Sequence, residues 1–153
     1  MTLQLTKPLV VFDLEATGLN VTTDRIIELA YVKLMTDGSE QRHTQRFNPG
    51  RPIPPESTAI HHITDADVAQ CPSFADCATQ IAAVFAGSDI AGFHSNQFDV
   101  PLLAEELARA GINFNWDCVR LVDVQNIYHK MEKRDLSAAY RFYCGRELTD
   151  SHS

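Results

Sequence analysis

With 153 residues, 44% of them hydrophobic and 22% charged, the chain has the make-up of one soluble globular domain, which excludes a disordered segment and leaves little room for a second domain. Its 13 Lys+Arg against 20 Asp+Glu give a net charge of −7, which argues against clamping duplex DNA through a basic face. Any nucleic-acid contact is expected to be small or metal-mediated. No apolar run nears the ~18 residues of a membrane span, and the first residues lack the basic start and long apolar stretch of a signal peptide. A cytoplasmic location with no membrane partner is therefore expected. Cys71, Cys77, Cys118 and Cys144 are irregularly spaced without a C-x-x-C pair, so reduced thiols are expected rather than a zinc site or disulfide framework.

Residues 9–14 form a near-continuous apolar run, the pattern of a central strand covered on both faces. Residues 25–34 are rich in β-formers, and 41–47 could pair with them after a turn at Asp37 and Gly38, giving a three-strand meander. Asn48 to Pro55 reads as an ordered, proline-rich loop. Ser73 and Asp76 resemble a capping box, and Phe74, Ala78, Ile81 and Phe85 then recur at helical spacing, predicting a helix over 73–86 stopped by Gly87. A short strand over 89–93 follows. Val100, Leu103, Leu107 and Ala110 predict an amphipathic helix ending at Gly111. Residues 119–122 are a further strand candidate, 124–131 are helical in pattern, and 136–143 predict a last helix between Asp135 and Gly145. Strands first, then alternating helix and strand, indicate an α/β fold with a mixed sheet.

The most informative residues are Asp13 and Glu15. Alternation along a strand puts both on one face while Leu14 points into packing. Unless they merely end the strand facing solvent, two close, partly buried carboxylates repel and lose hydration, a cost that a cation or hydrogen bonds must offset; their hard oxygens suit Mg²⁺ or Mn²⁺. Ala16, Thr17 and Gly18 follow at once, with a glycine that allows a ligand to approach the backbone. Asp99 stands where a strand gives way to a helix, a junction where ligands collect in α/β sheets. It reads either as a ligand or as a first-turn acid reciprocating an N-cap at Asn96. His94 and Asn96 could orient substrate or satisfy loop backbone.

Asp13-Leu-Glu-Ala-Thr-Gly18, the loop Ile60-His-His-Ile-Thr64, and His94-Ser-Asn-Gln-Phe-Asp99 together resemble the successive motifs of the DEDDh 3′-to-5′ exonucleases. The resemblance implies a ribonuclease H-like fold, a mixed five-stranded sheet flanked by helices, and a two-metal hydrolysis with two Mg²⁺ or Mn²⁺ ions. By that resemblance Asp13 bridges both metals, Glu15 helps hold one and Asp99 supports the second. His152 becomes the general base, suited by an unperturbed pKa of about 6.5. Ala16, Thr17, Gly18, Leu19, His61, His94, Asn96 and Phe98 become contacts to, or walls around, the terminal nucleotide. The implied partners are single-stranded 3′ ends and, as for proofreading members, a DNA polymerase.

Three departures from the family pattern matter. Its third motif ends in an aspartate five residues after the histidine, and the chain stops at Ser153. The expectation is thus one exonuclease domain cut within that motif, lacking the fourth carboxylate and a C-terminal helix, and binding metal weakly. The usual His-Asn pair reads His94-Ser95, and His62 replaces a common glycine, which could alter the local backbone. The rival reading is a catalytically silent module of the same fold that binds a protein or nucleotide ends.

Overall fold

A strand with four apolar residues in succession is stable only where both its faces are covered, and β1 (Leu9–Ala16) lies in such a place. Leu9, Val10, Val11 and Phe12 are all buried. The computed structural model describes residues 5–92, 98–116, 119 and 121–123. In these, β1 is followed by β2 (Ile26–Leu34), β3 (Glu40–Arg46), α1 (Pro55–His61), α2 (Asp65–Val68), α3 (Phe74–Phe85), β4 (Asp89–Gly92), α4 (Val100–Arg109) and β5 (Leu121–Asp123). The sheet order is β3-β2-β1-β4-β5. The pairs β1/β2 and β2/β3 are antiparallel, forming the expected meander, while β1/β4 and β4/β5 are parallel. The predicted helices over 124–131 and 136–143 lie outside the described residues.

Val10, Phe12, Leu14 and Ala16 point to one side of β1 and join Leu29, Phe85, Ile90, Leu103 and Leu107 in the main core, which seats α3 and α4 on that face. α3 begins as its sequence predicts: Ser73 Oγ accepts from the Asp76 amide at 3.1 Å, and the Asp76 carboxylate accepts from the Ser73 amide. Gly87 leaves the helix at φ +69°, a conformation glycine adopts without a Cβ penalty.

The structure departs from the sequence reading between residues 55 and 68, where two short helices replace the expected loop around Ile60-His-His-Ile-Thr64. Ile60 and His61 are the last residues of α1. Pro55 and Glu56 open that helix, a proline at N1 and an acid in the first turn, while Thr64 and Asp67 form a capping box on α2. Ile53, Ile63 and Val68 pack with Ile27 in a second, smaller core that fixes this unit.

His62 ends α1 at φ 64°, ψ 19°, and its amide donates to the Thr58 carbonyl at 2.7 Å. The family glycine therefore has a physical reason, since left-handed backbone costs a residue with a Cβ about 1–2 kcal/mol. His62→Gly is expected to stabilise the fold by about 1 kcal/mol, raising the melting temperature by roughly 2–4 °C. A thermal melt of the variant at or below wild type overturns this.

Candidate active site

On β1, Asp13 and Glu15 alternate with the core residues Phe12, Leu14 and Ala16, so both carboxylates share the opposite face, and both are half-buried. Antiparallel pairing sets Glu15 opposite Glu28, and β3 sets Arg46 opposite Glu28 in turn. Opposed residues share a face. One row across the sheet thus reads Glu15, Glu28, Arg46, and Arg46 Nε donates to Glu28 Oε2 at 3.1 Å. Glu28 is an acid of this face that sequence reasoning missed; its signal was the even spacing of polar residues along β2. The β1/β2 register slips between Glu15 and Ala16. Such bulges re-aim side chains and are frequent beside active sites.

β4 runs parallel to β1, with Phe12 beside Gly92, so the two strands end at the same edge of the sheet, the edge where α/β folds place ligands. Phe98 and Asp99 then make a π-type turn leading into α4. Asp99 is 3% exposed. It is the N-cap of α4 rather than a first-turn acid, which corrects one of the two sequence readings. Its backbone is already helical at φ −63°, ψ −48° and its side chain makes no capping bond. Capping needs extended backbone, and Pro101 has no amide N–H to donate to the Asp99 carboxylate.

Among the described residues no three His, Cys, Asp or Glu side chains converge closely enough to hold a metal ion. The structure brings Asp13 and Glu15 onto one face and sets Asp99 at the head of the neighbouring helix, without closing a three-carboxylate cluster. By its chemistry this set of carboxylate oxygens fits a hard divalent cation.

The loop over residues 17–25 is built from internal hydrogen bonds. Thr17 Oγ1 donates to Asp24 Oδ1 at 2.8 Å and accepts from the Arg25 amide at 3.0 Å. The Thr17 amide donates to the Arg25 carbonyl, and the Thr17 carbonyl accepts from Ser57 Oγ at 2.7 Å. Thr17 is 2% exposed, and its hydroxyl, amide and carbonyl all form hydrogen bonds within the protein. Gly18 is also explained from within. A Cβ there would meet Asp24 Oδ2 at 2.5 Å, so the glycine lets this carboxylate pack close to the backbone. Leu19, by contrast, is 88% exposed.

His61 is half-buried, and its Nδ1 accepts from the Ile63 amide at 3.1 Å. Burial lowers its pKa, while the Ala16 backbone and Glu28 pull the other way. Since its folded pKa lies below the ordinary value of about 6.5, its contribution to stability is complete above that pH and is lost as pH falls toward the folded value. Urea unfolding from pH 7.5 to 5.5 should therefore show a decline that His61→Gln flattens; equal slopes in both proteins overturn this.

The family model for exonucleases of the RNase T type matches residues 10–153. The chain belongs to that exonuclease family. A DNA polymerase III subunit epsilon-like protein of Rhodobacter capsulatus is 37% identical over 109 residues, covering 69% of this chain and 15% of that protein. DNA polymerase III subunit epsilon of Treponema pallidum is 35% identical over 97 residues, covering 63% of this chain and 45% of its own length. The chain thus spans less than half the length of either relative. E. coli exonuclease I, in a crystal structure with a dA16 oligonucleotide, superposes with a TM-score of 0.71 at 16% identity, over 82% of this chain and 30% of the other. That likeness carries the fold, which is ribonuclease H-like.

Within this exonuclease fold, Asp13, Glu15, Ala16, Thr17 and Gly18 are consecutive at the end of β1 and its loop, and His61 lies against the Ala16 backbone. Ala16 is buried in the main core, and Phe98 packs against that core. His94, Asn96 and His152 lie outside the described residues. No helix among the described residues is long and apolar enough to cross a membrane.

Proposed function

We propose that the chain carries a divalent-metal-dependent 3′-to-5′ exonuclease acting on single-stranded nucleic acid, with Asp13, Glu15 and Asp99 as the residues that would hold Mg²⁺ or Mn²⁺. The observation that supports this most is the half-buried pair Asp13 and Glu15 on the central strand, at the sheet edge where α4 begins with buried Asp99. Adjacent acids taken partly out of water are costly unless a cation or hydrogen bonds compensate them, and their hard oxygens suit a divalent ion. A bound divalent ion supplies charge stabilisation at the scissile phosphate. Around it, exposed Leu19 would meet the terminal nucleotide, half-buried His61 would flank the backbone after Glu15, and His152 would take the proton from the attacking water. His94, Asn96 and Phe98 would line the same site, and Gly18 keeps room for the loop.

Single-stranded DNA is supported as substrate by the oligonucleotide complex of exonuclease I, and a polymerase partner by the epsilon relatives. RNA is separated from DNA by contacts at the 2′-OH. The second reading, a silent module of the same fold, is favoured by the lack of three converging metal ligands among the described residues.

The deciding assay offers the protein at its full natural length a 3′-labelled single strand, as DNA and as RNA, with Mg²⁺ or Mn²⁺, beside Asp13→Ala. Mononucleotide release by wild type alone supports the exonuclease. Equal, negligible release from both supports the silent module.

A further inference from the structure

Glu106 has no part in the proposed site, yet it is a buried acid whose carboxylate is held from several sides. It is 1% exposed on α4, about two helical turns beyond Asp99. Its carboxylate accepts from Arg25 Nε at 2.9 and 3.1 Å, from the Ile26 amide at 3.0 Å and from Arg109 Nη1 at 3.0 Å. Arg109 reaches onward to the carbonyls of Val21, Thr22 and Asp24. Asp24 in turn grips Thr17 Oγ1 and the Asn20 amide, each at 2.8 Å. One buried charge thereby ties both ends of the 17–25 loop to the helix that starts at Asp99.

We propose that Glu106 is a positioning residue that holds this loop, with exposed Leu19 on it, in fixed relation to Asp13 and Glu15 on one side and to the head of α4 on the other. Satisfying the carboxylate from three directions makes the arrangement rigid, because a half-satisfied buried charge is strongly disfavoured. Neutralising it leaves Arg25 without its anion and releases the loop. The assignment rests on the exonuclease reading, since only then does the loop meet a nucleotide.

The test uses the full-length protein carrying Glu106→Gln and, separately, Arg109→Met, whose more exposed side chain makes it the safer variant for folding. Each is first shown by circular dichroism to be folded at the assay temperature. Amide hydrogen exchange without metal or substrate should be about tenfold faster over 17–25 than in wild type, with β1 and β2 beyond Ile26 unchanged. On a single-stranded DNA, KM should rise about tenfold while kcat stays within two- to threefold, as expected when ground-state and transition-state binding are lost together. A merely structural tie would lower the melting temperature and leave KM of the folded protein where it was. Wild-type exchange over the loop, or an unmoved KM, in either folded variant overturns the assignment alone. A wild type inert on every strand ends the exonuclease reading and this assignment with it.

Discussion

Asp13→Asn is expected to lower mononucleotide release at least a thousandfold, about 4 kcal/mol of transition-state stabilisation, while leaving the melting temperature unchanged or slightly raised. The two halves of this result have one cause. Asparagine matches the shape of aspartate, so packing around β1 is kept, but the charge that would attract a cation is gone. So is its repulsion of Glu15 on the same face, which is why stability does not fall. A carboxylate whose charge is answered by a cation of the protein behaves in the opposite way: separating Glu106 from Arg25 leaves a buried charge without its partner and lowers stability. Hydrolysis rates and metal-free melts of Asp13→Asn check both halves together. Retained activity, or a loss of stability beyond about 1 kcal/mol, contradicts the proposed role.

Phe12→Ala should be the most damaging single truncation in the main core. Phe12 and Phe85 are both fully buried, their rings 5.2 Å apart at 80°, an edge-to-face pair that joins the central strand to α3. Phe to Ala at such sites costs about 3–5 kcal/mol, a large part of the 5–15 kcal/mol that holds a typical domain together. The melting temperature should drop by roughly 6–20 °C. Phe85→Leu, which keeps most of the volume, should cost less than half as much. Urea unfolding with an unchanged slope measures both, and a Phe12→Ala loss under about 1.5 kcal/mol would mean that the core collapses around the gap.

The elements legible in the sequence share one property: their signal is periodic and long enough to average out local exceptions. β1, β2, α3 and α4 each bury a regular set of apolar residues, and α3 also announces its start with Ser73 and Asp76. α1 and α2 were missed because seven and four residues are too few to show a helical period, and prolines at 52, 54 and 55 read as loop. The signals that mark them, Pro55 at N1 and the Thr64 and Asp67 box, are local. At the site, the shared face of Asp13 and Glu15 follows from alternation alone. The inward commitment of Thr17 does not, because it depends on Asp24, Arg25 and Ser57, and the last of these arrives from a helix forty residues away. Glu106 did leave a trace in the sequence, an acid three residues after Leu103 on the apolar side of α4, where Arg25, Arg109 and the Ile26 amide satisfy it.

The central strand also has a bearing on how the chain folds. β1 meets β2 across residues 17–25 but meets β4 only after residues 17–88 have been laid down. The meander can close early at small entropic cost, whereas the parallel partner must wait for a long crossover to be threaded. Until then residues 9–12 of β1 have an unpaired edge, so variants that slow the crossover are expected to aggregate more readily during refolding than variants of the meander.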